Sequence, residues 1–245
     1  MSAVAAWKSL PTPSRNFFGK ARPYLPLKPR RRLMLFSLTT QQLMERPDLW
    51  EAVHRLRHKV FVDEMRWTDL DRPDGLEIDQ FDHDEAEHHL VIRNGELAGY
   101  HRMLPTTRPH LLSDVMPELC EGKRPSGPNV WELTRYAVAP GFRDGKRGVS
   151  TVGTELIAGF VEWGLARNVD QVIIEVEPVW VLRTLQLHFL ATPLGYQRTY
   201  GNQQVVATLL TFNEHTLDVV RSRRNHHAPV LARGTPHMLG MRQAS

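Results

Sequence analysis

The stretch His88–Leu104, HHLVIRNGELAGYHRML, decides how the chain is to be read. Two apolar runs flank Asn94-Gly95, a dipeptide that favours a two-residue hairpin because both positions tolerate positive φ. An antiparallel strand pair is therefore predicted here. Toward the N-terminus, MLFSL (34–38) reads as a short strand. TTQQLMERPDLWEAVHRLRHKVFV is helical in its second half, with Leu49, Val53, Leu56 and Val60 on one face. Residues 64–86 lack a period and contain DRPDG, so they read as a loop. Toward the C-terminus, SDVMPELCEG reads as a short helix and VWELTRYAVAP as a strand ending at Pro140. STVGTELIAGFVEWGLARN is an amphipathic helix with Ser150 or Thr151 as its N-cap. QVIIEV is a buried strand, WVLRTLQLHFLATPLG a helix ending at Gly195, and QVVATLLTF a final strand. Strand–helix–strand alternation on both sides of the hairpin predicts one α/β domain, with a mixed, mostly antiparallel sheet flanked by helices.

Composition limits the function classes. The apolar fraction of 41% in 245 residues supplies a substantial core. No apolar run reaches the ~18 residues of a membrane span, so no membrane role is expected. A single cysteine, Cys120, leaves no internal disulfide and fits a reducing, cytoplasmic setting. The net charge of +4 comes from the ends. Residues 1–33 hold eight Lys/Arg and residues 221–245 hold five, with no acid in either, while 34–220 carries −9. These ends read as flexible basic arms around a domain at 34–220, with Met34 opening the ordered-looking part; a transit-peptide reading of 1–33 lacks a convincing amphipathic helix. A basic nucleic-acid-binding core is not supported, and no nucleic-acid partner is expected.

Candidate chemistry concentrates in three places. Seven acidic residues crowd between Glu77 and Glu96, interspersed with His83, His88 and His89 and followed by His101. No strong ligand spacing occurs, and adjacent His88 and His89 point to opposite faces of a strand, so no metal is expected. The turn VAPGFRDGKRGVSTVGTEL joins a strand to a helix N-terminus, an arrangement suited to anions. It partly matches the pyrophosphate-binding turn of the GNAT acyltransferases through Arg143 and Gly148, with the intermediate glycine displaced to Gly145. In WELTRYAV, Glu132 lies in an unusually apolar run, so it is either a member of a structural ion pair or a base in a cleft. Glu132 and Arg135 share a face only if the strand bulges or ends between them.

Together these pieces resemble the LuxI-type acyl-homoserine-lactone synthases, which make quorum-sensing signals. LRHKVFVDEMRW supplies Arg57, Phe61 and Trp67; EIDQFD supplies Asp79 and Asp82; GYHRMLPTT supplies Arg102; WELTRYAV supplies Glu132 and Arg135. Order and spacing hold over about 80 residues, and the plan fits from Met34 to about residue 213. Met116 stands where the family usually has phenylalanine, which bears on the shape of an acyl pocket.

The resemblance implies a GNAT-like fold, two substrates and no cofactor. S-adenosylmethionine (SAM) is one substrate, and an acyl thioester on acyl carrier protein or coenzyme A is the other. It implies that Asp79 and Asp82 orient the SAM amine and offset its sulfonium, and that Arg57 and Arg102 either hold the substrate carboxylate or lock those aspartates. Phe61 and Trp67 pack on the adenosyl group or sulfonium. Glu132 is the expected general base, and Arg135 orients it or structures the cleft. Arg143, Lys146 and Arg147 receive the phosphopantetheine or an acidic carrier. The acyl chain runs past residues such as Leu104, Met116, Ile174 and Leu187. Two other readings stay open: a GNAT N-acyltransferase acting on another amine, and a non-catalytic binding relic.

Overall fold

The hairpin around Asn94-Gly95 forms as the dipeptide requires. In the computed structural model, which describes residues 34–144, 149–224 and 227–232, Asn94 has φ 55° and Gly95 φ 86°. They join strand β2 (Glu87–Arg93) to strand β3 (Glu96–Pro105). Strand β1 (Leu35–Thr39) pairs antiparallel with the outer side of β2. Strand β4 (Val130–Val138) pairs antiparallel with β3, and strand β5 (Gln171–Val176) pairs parallel with β4. Strand β8 (Gln203–Thr211) adds antiparallel to β5, and its other edge carries the short strands β6 (Leu190–Pro193) and β7 (Arg198–Tyr200). The sheet is thus mixed and mostly antiparallel, with one parallel join.

That join matters for the site. β4 and β5 pair only over Val130–Glu132 and Gln171–Ile173, and beyond those positions they are no longer paired with each other. β4 continues to Val138 along β3, while β5 continues to Val176 along β8. Glu132 sits at the last paired position.

Helices cover both faces. Helix α1 (Thr40–Met44) follows β1 through a capping box at Thr39, and helix α2 (Pro47–Arg57) packs Leu49, Val53 and Leu56 onto β2 and β3. After a one-turn helix α3 (Leu111–Asp114), helix α4 (Thr151–Leu165) starts at Ser150, whose hydroxyl accepts from the Gly153 N–H. α4 lies on the opposite face to α2, burying Val152, Leu156, Phe160 and Trp163. Helix α5 (Pro178–Gln186) and helix α6 (Glu214–Arg223) complete the set.

Three expectations are corrected. The helix expected to reach Gly195 stops at Gln186; His188 takes φ 61°, and Leu190–Pro193 becomes an edge strand on β8. A short apolar run does not distinguish helix from strand, and the open edge of β8 recruits it. The boundary expected at 220 falls inside α6, which Asn213 and Thr216 cap reciprocally. Finally, the C-terminal arm expected from 221 holds a packed segment at Val230–Ala232: Val230 and Ala232 bond the backbone of Leu35, and Glu162 accepts both the Val230 and Leu231 N–H groups. Residues 1–33, 145–148, 225–226 and 233–245 lie outside the described residues, with the basic arm expected at 1–33 and the candidates Lys146 and Arg147 among them.

Candidate active site

The site is built on an irregularity of β4. Tyr100 pairs with Ala137 but Arg102 pairs with Thr134, so two residues of β4, Arg135 and Tyr136, oppose His101 alone. Arg135 takes φ 56°, an unfavourable conformation for a side chain of this size. The bulge resets the alternation of faces. Before it, Trp131 and Leu133 face α4; after it, Tyr136 does, donating its hydroxyl to the Gly153 carbonyl. Glu132, Thr134 and Arg135 therefore share the other face, and the sequence condition for joining Glu132 to Arg135 is met.

On that face three arginines meet three acids. Arg57, from the end of α2, donates to Glu77 (2.5 Å) and Asp82 (2.7 Å). Arg102, from β3, grips Asp79 through both terminal nitrogens (2.6 and 3.0 Å), reaches Asp82 (2.7 Å) and donates to the Thr134 hydroxyl (3.2 Å). Arg135 donates to Glu77 (3.0 and 3.1 Å) and to Asp79 (2.8 Å). All six side chains are nearly sealed from solvent. Burial pushes the Asp82 carboxyl upward, but Arg57 and then Arg102 outweigh it and hold Asp82 well below the usual carboxylate range. Glu77 and Asp79 move the same way for the same reason.

Of the two arrangements left open for Arg57 and Arg102, the bonds to Asp79 and Asp82 are the ones present here. The geometry also shows Arg135 structuring the cleft through Glu77 and Asp79. Three positive and three negative groups balance, so the acidic loop presents no surplus negative charge here. Its surplus lies in exposed Asp84 and Glu85 farther along, and Glu85 is paired with Arg108.

An aromatic pair lies against this network. The chain after α2 runs on through a wider turn, His58–Glu64, with Met65 N–H bonding back to the Val60 carbonyl. Phe61 and Trp67 stack there at 5.3 Å between ring centroids, with the Arg135 guanidinium 5.4 and 5.9 Å from the two rings. Trp67 is half-buried and donates to Gln203 at the start of β8 (3.3 Å).

Glu132 is enclosed rather than open. One oxygen accepts from His110 Nδ1 and the Leu112 N–H, the other from the Leu111 N–H, each at 2.8 Å. The carboxylate ties the start of α3 to the sheet. The residue expected to act as general base is thus a carboxylate already accepting three hydrogen bonds. Beside it on β5 stands Glu175, whose carboxyl is close enough to hydrogen-bond it.

The expected acyl-lining residues do not form one wall. Met116 packs with Leu112, Leu119, Val130, Ile173, Val205 and Ala207 on the Glu132 face. Leu104 is buried with Phe81, Ala86 and Leu111 on that face too. Ile174 and Leu187 belong to the cluster under α4, on the other side of the sheet. Arg143 is ion-paired with Glu64 (2.8 Å) and donates to the Val138 carbonyl (2.8 Å). Asp144 accepts from the backbone and hydroxyl of Thr151, occupying the N-terminus of α4.

Sequence reasoning missed Glu77, His110 and Glu175. Glu77 carried a signal, since it opens EIDQFD. His110 and Glu175 carried none, because each meets Glu132 across loops or strands. Among the described residues, no group of three or more His, Cys, Asp or Glu is placed to hold a metal ion, and no helix is long and apolar enough to cross a membrane.

Known proteins share this plan. The autoinducer synthase family model matches residues 40–220. The isovaleryl-homoserine lactone synthase of Bradyrhizobium diazoefficiens is 35% identical over 177 residues, 72% of this chain and 78% of the relative. The structure of BjaI, a CoA-dependent acyl-homoserine lactone synthase with SAM and isopentyl-CoA, aligns with a TM-score of 0.76 at 31% identity, covering 84% of this chain and 95% of that one. MesI, another CoA-dependent acyl-homoserine lactone synthase, aligns at 0.73 with 26% identity, covering 82% and 100%. Arg57, Asp79, Asp82, Arg102 and Arg135, drawn from motifs far apart in the chain, meet within one such fold, and the chain belongs to the autoinducer synthase family.

Proposed function

We propose that the chain joins an acyl thioester to SAM and closes the product to an acyl-homoserine lactone. The observation that carries this is the convergence of four separated motifs on one buried network beside the point where β4 and β5 part. Coenzyme A is the proposed carrier, since BjaI and MesI are both described as CoA-dependent.

The chemistry has two steps. The SAM ammonium loses a proton, and its nitrogen attacks the thioester carbonyl. The C–S bond breaks, an amide forms, and the departing thiolate takes up a proton. The SAM carboxylate then attacks the carbon bonded to sulfur. That C–S bond breaks, the ring closes, and neutral methylthioadenosine leaves. The parted edges of β4 and β5 expose backbone N–H groups suited to the thioester oxygen. Phe61 and Trp67 offer π faces to the adenosyl group and sulfonium. The Arg57–Arg102–Arg135 network holds these surfaces rigid. Glu132 anchors α3 as a lid element beside the acyl carbonyl, and the amine's proton passes to water in the cleft. The apolar group of Leu112, Met116, Leu119 and Ile173 takes the acyl chain. Arg143, with Lys146 and Arg147, attracts the phosphates of the carrier once its pairing with Glu64 yields.

The test is to mix purified protein with SAM and a panel of acyl-CoA and acyl-carrier-protein thioesters, then quantify methylthioadenosine and lactones by mass spectrometry. Methylthioadenosine release with one dominant lactone from the CoA series is expected. Thiol release without methylthioadenosine identifies a general N-acyltransferase instead. Turnover only with carrier-protein thioesters overturns the donor assignment.

A further inference from the structure

Glu175 is the titratable group on this face that the reaction above does not use. It lies two residues beyond Ile173, where the β4 pairing ends, and faces the same side as Ile173 and Glu132. Ala207 of β8 is its cross-strand neighbour. Its Oε1 is buried and receives no hydrogen bond from an N–H or O–H donor among the described residues. The surroundings are apolar, with Leu112, Ile173, Val205 and Ala207 in one cluster. The titratable groups facing it are Glu132 from β4, with His110 bonded behind it, and Tyr200 from β7, itself bonded to Glu118.

Two carboxyls in such a place do not both ionise. Glu132 accepts from three N–H donors. Glu175 lacks them and retains the proton; burial first, and the Glu132 charge second, push its carboxyl well above the usual range.

We propose that Glu175 is a positioning residue: its neutral carboxyl group donates a hydrogen bond to the Glu132 carboxylate, and through Glu132 it holds His110 and the start of α3 beside the parting of β4 and β5. One proton and one negative charge are shared by the pair. Loss of that proton as pH rises leaves two charges in contact and loosens α3. The effect on turnover rests on the synthase reading; the pairing does not.

Three proteins test it: wild type, Glu175→Gln and Glu175→Leu. The glutamine amide N–H replaces the acid O–H, whereas leucine removes the donor. Hydrogen exchange at the Leu111 and Leu112 amides is expected to quicken about tenfold or more in the leucine protein and stay near wild type in the glutamine protein. Glu175→Gln is expected to keep kcat within about threefold and to lose the fall in activity that deprotonation of Glu175 brings with rising pH, with Glu175→Leu down about tenfold at similar KM. A neutral acid whose folded pKa is raised stabilises fully below its unfolded pKa of 4.5 and loses that contribution as pH rises toward the folded value. The Tm advantage of Glu175→Gln over wild type therefore grows as pH rises above 4.5. Equal exchange in all three proteins, or a glutamine protein as loosened as the leucine one, overturns the proposal. If none of the three makes lactone yet the exchange and Tm patterns hold, the pairing stands and the synthase reading falls.

Discussion

Asp82 gains a set of contacts that spacing alone does not supply. It accepts from Arg57, Arg102 and the Asp79 N–H in a sealed network. Asp82→Asn replaces an acceptor with a donor facing two guanidiniums, and breaking a buried pair of this kind costs about 3–5 kcal/mol. Urea unfolding should show a loss of that size; wild-type stability with weakened SAM binding would return Asp82 to a direct substrate contact. Glu132→Gln is expected to lower kcat on the order of 10²-fold, because one amide cannot satisfy His110 and two backbone N–H groups at once. Steady-state kinetics beside exchange at Leu111 would check that the two losses travel together. At this scale the motifs identified Arg57, Asp79, Asp82, Arg102 and Arg135 but not their pairing. Charge-balanced networks and substrate-binding clusters use the same residue types, and only contact distances separate them.

Elements were legible where the local signal agreed with the tertiary demand. The Asn94-Gly95 hairpin and the Ser150 cap both formed as read. β6 was misread as helix because its partner, β8, lies later in the chain, and α6 was missed because only Leu217 and Val220 of its apolar residues are buried. The bulge at Arg135 was posed by the sequence as a condition; its location required the register of β3 against β4. α4 offers a test of packing against propensity. An alanine Cβ at Gly164 would meet the Val169 carbonyl oxygen at 2.7 Å and the Phe212 ring at 2.8 Å. Helix propensity alone favours alanine by about 1 kcal/mol. Overpacking against a backbone oxygen and a core ring outweighs that, so Gly164→Ala should destabilise by about 1–3 kcal/mol. A raised midpoint in thermal unfolding would show that the helix end shifts freely.

The whole molecule carries an acid sensitivity distributed across its sheet. His88 bonds Thr40 and Tyr100 on one face, while His89 and His101 bond each other on the opposite face, all fully buried. Burial holds His88 and His101 down at about 3 and His89 well below its usual value. Above pH 6.5 these residues stay neutral folded or unfolded; below it the unfolded chain takes up protons that the folded protein refuses until about pH 3. Stability should therefore fall by about 1.4 kcal/mol per pH unit for each such group as the pH drops through that window. His101→Phe should flatten part of the slope in a pH series of denaturant midpoints. Composition displayed the twelve histidines but not which would be entombed, since that depends on α1 and α2 closing over one face of β2 and β3 and α4 over the other.

The segment Val230–Ala232, bonded along Leu35 and fastened by Glu162, gives the fold an order of completion in time. The strand whose outer edge it covers is among the first parts of this domain to leave the ribosome. Its cover is among the last. For most of synthesis that edge stands bare, open to misannealing with a neighbouring nascent chain on the same message. A stop codon or fusion joint placed before Val230 would make that temporary exposure permanent.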